Sequence, residues 1–496
     1  MTVHTRRALL GGMLATAATP ALAAIGASPR PLARPPRGVP VPVDAAAADL
    51  VAEAALGGQI GYVVAEAASG KLIDGQDMDL PLPPASVAKA ITAAYALETL
   101  GPAYRFRTRL IGTGPLRHGR LDGDLILVGG GAPGLSTDHL AMMAEAAREA
   151  GLVEVTGRFL VWTGALPDIP EIDPRQPAQV GYNPAISGLN LNFNRVHFEW
   201  RQRGAEYDLS MDARTQQYKP AVSRIRASLA DRRLPVFRYL EDPETGSEEW
   251  SVAESALGGG GTRWLPVRHP GLYAGDVMRT LMRANGVVLR EAELTDAPPP
   301  ATPVLAEVSS AELEPVARGM MRFSTNLTAE VLGLTASKAR TGVNPVSLAA
   351  SADEMSAWAG EALGMGHSQF MDHSGLNDLS RVTARDMSRA LVATGPNGML
   401  RKVMRRIDLP LADGRRETFR IDAKTGTLNF VSALSGYIGR DNAPDLVFAI
   451  FTAQPERRAA IPPGDEENPP GASGWNRRSR RLQYELVRLW GRHAAV

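Results

Sequence analysis

The sequence predicts an α+β fold: an antiparallel sheet packed with helices and interrupted by a large, mostly β insert. Three observations carry that expectation. Apolar residues recur at helical spacing near residues 86–100, 309–340 and 475–491. Between Phe106 and Pro303 the texture changes to short strand-like pieces divided by Gly, Pro and Asp turns. Toward the C-terminus two β-rich runs, TFRIDAKTGTLNFVSALSGYIG and DLVFAIFTA, flank Arg440-Asp441-Asn442-Ala443-Pro444, the grammar of an antiparallel hairpin.

Taken in order, residues 1–23 read as an export signal: Arg6 and Arg7, a weakly apolar Ala/Leu/Gly run, then Ala21-Leu22-Ala23 for cleavage. The adjacent arginines and the mild apolar run favour a twin-arginine signal over a general secretory one. Residues 24–43, rich in Pro and Arg, form an extended linker. The first globular part, 44–105, holds a helix over 45–57, a strand pair over 61–73 turning at Ser69-Gly70, and a helix from Ser86 that Gly101-Pro102 stops. The insert spans 106–304, as two small subdomains with some helix, such as 138–151, and the Pro-rich APPPATP closes it. Helices resume in the second part, 305–496, whose last helix sets Leu482, Leu486 and Leu489 on one stripe.

A chain of 496 residues exceeds what one hydrophobic core organises. Its 44% hydrophobic and 22% charged content is that of a globular protein, and a net charge of +1 gives no electrostatic case for nucleic acid. There is no cysteine, so no disulfide and no lipid-anchored N-terminal cysteine; stability must come from burial. The expected mature form is soluble, in the periplasm or outside the cell. Arg477-Arg478-Ser479-Arg480-Arg481 fits a solvated helix face better than a peripheral contact with an anionic membrane surface.

The chemistry starts from PPASVAKAIT, where Ser86 stands three positions before Lys89. On a helix such positions share a face, and the helix N-terminus favours developing negative charge. If burial lowers its pKa, a neutral lysine can take the serine proton. Ser-x-x-Lys also arises by chance about once in every 200 to 300 positions, and by itself it fits an ordinary capped helix. Lysine usage shifts the balance: it occurs only at 71, 89, 219, 338, 402 and 424, arginine supplying every other basic side chain. Arginine carries surface charge equally well but cannot become a general base.

Lys424-Thr425-Gly426 opens a β run. A glycine lets a substrate backbone approach a strand edge, and a lysine and a threonine hydroxyl pointing the same way can hold a carboxylate. Between the two lysines, Ser324-Thr325-Asn326 precedes a helix, where a hydroxyl and an amide two apart can relay a proton and bind a substrate amide. Alone it reads as an Asn326 N-cap, or as the sequon Asn326-Leu327-Thr328.

In that order the three motifs are the signature of penicillin-binding proteins and serine β-lactamases. With PASVAKAITAAYALETLGPAYRFRTRL, LILVGGGAPGL, SGLNLNFNRV, DHSGLNDLSRVTARDM and AKTGTLNFVSALSGYI, the chain from about 44 to 455 resembles the type-4 penicillin-binding proteins, D-alanyl-D-alanine carboxypeptidases/endopeptidases. The resemblance implies a β-lactamase/transpeptidase-like domain, helices on both sides of its sheet, cut between its first and second motifs by the insert. It implies Ser86 as the acylated nucleophile, Lys89 as its base, and Ser324 and Asn326 in proton transfer and substrate orientation. It also implies Lys424, Thr425 and Gly426 as the substrate-carboxylate site, and the backbone N–H groups of Ser86 and Thr427 as the oxyanion hole. The partners implied are peptidoglycan stem peptides, their cross-links and β-lactam antibiotics, with no metal or cofactor. The chain departs from the family at Ala132, usually aspartate, and at Thr325, usually aspartate or asparagine.

Rival readings are weaker. Gly129 to Gly134 formally satisfies the dinucleotide-binding pattern, but Pro133 falls where the helix should open and no βαβ unit follows. Glu291-Ala292-Glu293 lies on the wrong side of the second motif for a deacylating glutamate and reads as insert surface. His367 and His373 have no usual zinc spacing. A non-catalytic wall-binding or β-lactam-sensing protein would keep the fold, and only turnover separates it from a hydrolase.

Overall fold

A computed structural model describes residues 43–300, 304–409 and 417–493. The export signal and all but the last residue of the linker lie outside the described residues, as do 301–303 of the Pro-rich run. The centre is a six-stranded sheet in the order Arg405–Ile407, Arg420–Leu428, Val431–Gly439, Leu446–Ala453, Gln59–Glu66 and Leu72–Gln76, antiparallel throughout. The long β run of the sequence is therefore two strands, turning at Asn429-Phe430.

Period two decides which helices cover which face. In Leu446–Ala453 every residue is buried, because alternate side chains serve two cores. Leu446, Phe448 and Ile450 join Val43 and Ala47 of helix Val43–Ala54 and Trp475, Leu482, Leu486 and Trp490 of helix Ala472–Arg492. Val447, Ala449 and Phe451 face the other way, with Ile91 and Tyr95 of helix Ala88–Leu100 and Leu391 of helix Ala384–Thr394. Fully burying one such Phe or Leu contributes about 1.5–3 kcal/mol. The terminal helix stripe runs through Leu482, Leu486 and Trp490, while Leu489 is only half-buried. The predicted α+β class, with helices on both sides of an antiparallel sheet, is the observed one.

The insert is built mostly of strands. A five-stranded sheet in the order Ala292–Leu294, Phe159–Trp162, Leu125–Val128, Arg107–Gly112 and Val304–Ser309 carries helices Thr137–Glu149 and Pro270–Ala284 near it. Two three-stranded sheets lie between residues 195 and 266. Val304–Ser309 pairs with Arg107–Gly112, so the β insert runs on to Ser309, five residues past the boundary at 304 that the Pro-rich stretch suggests. The triple glycine is a close backbone crossing: a Cβ on Gly130 would sit 2.0 Å from the Arg107 carbonyl oxygen. Among the described residues no helix is long and apolar enough to cross a membrane.

Candidate active site

Ser86 occupies a single 3-10 turn, Ala85–Val87, and the α-helix proper starts at Ala88. The sequence places Ser86 at the start of the α-helix itself; the tighter turn comes first, as it often does at helix starts. Ala85 has φ +45°, a strained value for a residue with a side chain, immediately before the serine. Residues Ala88 to Leu97 are all buried, so this helix is wrapped on every side and its lysine is shielded from water.

Lys89 is fully buried, and its Nζ donates to Ser86 Oγ at 2.9 Å, Asn326 Oδ1 at 2.8 Å and the Ser374 carbonyl at 2.7 Å. Burial pulls its pKa down to about 8, against the opposing pull of Asp372 and Glu330. Ser86 does not cap the helix with its side chain, and neither does Asn326, because Thr325 holds the N-cap position. Asn326 instead accepts from Lys89 and donates its Nδ2 to the Tyr182 carbonyl at 2.9 Å, joining the insert to the serine's lysine.

Ser324 ends helix Leu313–Phe323 at φ +58°, a left-handed position that turns the chain into the next helix. Its Oγ accepts from Lys424 Nζ at 3.0 Å, and Lys424 also donates to the Thr425 carbonyl at 2.6 Å. Lys424 is buried, and burial, with Lys89 and Arg405 nearby, drives its pKa well below the ordinary lysine value. Along Arg420–Leu428, Lys424 and Gly426 are buried while Thr425 and Thr427 are exposed. The strand's alternation thus separates Lys424 from the Thr425 side chain, which the sequence suggests pointing the same way; Thr427, not Thr425, lines the cleft.

Gly426 brings this strand against the serine. A Cβ there would lie 2.7 Å from the Pro84 carbonyl oxygen and 3.0 Å from the Ser86 backbone nitrogen. Among the described residues, 424–428 pair with a strand on one side only, leaving the other edge open beside Ser86. An open edge is a template for an extended peptide.

These groups meet in a cleft of about 800 Å³, lined by Ser86, Ser324, Asn326 and Thr427 and walled by Arg175 and Tyr182 of the insert. Its mouth is crossed by ion pairs. Arg175 bonds Asp173 at 3.0 Å and Asp378 at 2.7 Å, and Arg458 holds the other oxygen of Asp378.

Sequence reasoning missed the floor and the mouth. Glu330 follows Asn326 by one helical turn, a spacing that could have flagged it. Asp372 and Ser374 lie within DHSGLNDL, which gives no local spacing to Lys89. Of the two histidines, His367 is exposed beside Asp386 while His373 is buried, its ring against Ser351 Oγ at 2.8 Å. Glu291 and Glu293 are exposed on the insert.

The profile of the D-Ala-D-Ala carboxypeptidase 3 (S13) family matches residues 43–466. A D-alanyl-D-alanine carboxypeptidase from Actinomadura sp. (strain R39) is 27% identical over 432 residues, 80% of this chain and 77% of that one. The crystal structure of penicillin binding protein 4 from Haemophilus influenzae superposes with a TM-score of 0.71 at 18% identity, covering 89% of this chain and 99% of the other. The same Haemophilus protein complexed with a novel β-lactam gives 0.69 at the same identity and coverage. These structural likenesses are ones of fold: a transpeptidase-like domain with a β-rich insert. The chain belongs to the D-Ala-D-Ala carboxypeptidase 3 (S13) family, the type-4 penicillin-binding proteins, and with it to the serine-type D-Ala-D-Ala carboxypeptidases.

Proposed function

We propose that the protein hydrolyses the D-alanyl-D-alanine end of peptidoglycan stem peptides, and D-amino-acid cross-links between them, through an acyl-enzyme on Ser86. The observation that carries this reading is the fully buried Lys89 amine, 2.9 Å from Ser86 Oγ, with a pKa lowered toward neutrality. The neutral amine takes the Ser86 proton as Oγ attacks the penultimate D-alanine carbonyl. The proton then passes to the departing amine of the terminal D-alanine, and water releases the stem from Ser86. The backbone N–H groups of Ser86 and Thr427 stabilise the oxyanion, while the extended stem lies along the open strand edge. Lys424, with the exposed hydroxyl of Thr427 in the place the sequence gives to Thr425, draws the terminal carboxylate, and Ser324 and Asn326 serve proton transfer and substrate orientation.

A β-lactam enters by the same attack and stays attached, which makes it an inhibitor. The Arg6-Arg7 signal sends the protein across the cytoplasmic membrane, to the periplasm or beyond, where its substrate lies. Covalent labelling with a fluorescent penicillin tests the assignment. Wild-type protein labels and Ser86→Ala does not; undiminished labelling of the variant sinks it. Labelling without product from either a pentapeptide stem or a cross-linked dimer would identify a β-lactam sensor instead.

A further inference from the structure

Two carboxylates lie under Lys89 without a task in the acyl-transfer scheme. Glu330 sits on helix Asn326–Thr341, and Asp372 opens the turn 372–377; both are buried. Glu330 accepts the backbone N–H groups of His373 and Ser374, each at 2.9 Å, one on each oxygen. Asp372 accepts those of Gly375 at 2.6 Å and Asn377 at 2.7 Å. Gripped from both ends, the turn has one carbonyl, that of Ser374, directed at Lys89 Nζ.

The valence of the amine makes that carbonyl matter. A neutral lysine has two N–H groups and one lone pair, and it meets three partners here. The carbonyls of Ser374 and Asn326 can only accept, so they take the two N–H groups, and the lone pair is left for the one partner with a proton to give, the Ser86 hydroxyl. Glu330 bears on both: it lies one helical turn from Asn326 and accepts the N–H of Ser374, the residue whose carbonyl meets Lys89, while Asp372 takes the Gly375 N–H of that carbonyl's own peptide unit.

We infer that Glu330 is a positioning residue, acting through the backbone N–H groups of His373 and Ser374 to hold the Ser374 carbonyl where it aims the Lys89 lone pair at Ser86. This rests on the reading of Lys89 as the base. The charged groups facing Lys89 are Glu330 from its helix, Asp372 from the turn and Lys424 from the strand; the neighbouring His373 is kept neutral by burial. Both acids favour the ammonium form of Lys89, so removing one lowers the pH at which the base becomes free.

The test is the rate of acylation by a chromogenic penicillin as a function of pH, per mole of folded protein. Glu330→Gln keeps the shape but offers one acceptor for two N–H groups; acylation should fall about 10- to 100-fold, and its alkaline-rising limb should move to lower pH. Glu330→Asp keeps the charge and withdraws the carboxylate, so the rate should fall with the limb in place. A merely structural residue would lower the melting temperature yet leave both rate and limb unchanged, and that result overturns the inference. Should neither variant fold, amide hydrogen exchange on wild-type protein decides: slow exchange at His373 and Ser374 is expected, and exchange as fast as in an open loop overturns it. Failure of the wild type to label strikes the acyl-enzyme reading itself; normal wild-type labelling with an indifferent Glu330→Gln strikes only this inference.

Discussion

The floor of the cleft and its mouth both gather groups of opposite charge, yet they solve different problems: at the floor Lys89 meets only neutral partners directly, while at the mouth the charges pair. At the floor, Lys89, Glu330 and Asp372 are buried, and burial pushes each toward its neutral form. At the mouth, half-exposed Arg175 joins the buried Asp173 to Asp378, which Arg458 also holds. Burial pushes Asp378 up, but Arg458 and Arg175 outweigh it and hold its carboxyl below the usual range. The one group that must trade a proton, Lys89, is kept from water, while Asp378, which only holds geometry, is kept ionised by the arginines beside it.

The sharpest way to break that contrast is at the floor. Lys89→Met keeps the length and removes the base, and acylation by a chromogenic penicillin, followed by stopped flow, should fall by about a thousandfold. The next effect is in pH. Lys89 acts when neutral, so acylation is fully developed above a pKa of about 8 and is lost as pH falls through it. Two units below, the neutral fraction is roughly 1%, and the rate should be about 100-fold under its plateau. A profile flat from pH 6 to 9 would contradict the tuned lysine. The smallest effect belongs to the mouth. Arg175→Ala removes a half-exposed arginine, and Asp173 keeps the Gln176 amide and a backbone N–H as donors, so the loss is about 1 kcal/mol. Steady-state kinetics should show a change of a few-fold at most, with the pH limb unmoved.

The same contrast explains what was legible in the sequence. Ser86 and Lys89 are three residues apart on one chain turn, and Lys424 and Gly426 share one face of one strand, so local spacing exposes them. Ser374 meets Lys89 across 285 residues, and Arg175 meets Asn377 across 202; no periodicity encodes such pairs. Glu330 was within reach, one turn beyond Asn326. The sheet was legible through its hairpin at 440–444, while the turn at Asn429-Phe430 hid because apolar residues flank it and only a left-handed Phe430 marks it. The insert's last strand hid behind the Pro-rich stretch, which reads as an ending but is followed by Val304–Ser309.

The distances in sequence that conceal the floor also set a clock. Lys89 owes its burial and its orientation to Asn326 and Ser374, 237 and 285 residues downstream. At roughly 5–20 residues per second of synthesis, the nucleophile emerges roughly 15 to 60 seconds before the carbonyl that completes its base. During that interval Lys89 is an ordinary hydrated ammonium and Ser86 an ordinary alcohol. The nascent chain is thus born disarmed, and its reactivity switches on when the last third of the polypeptide closes over the first.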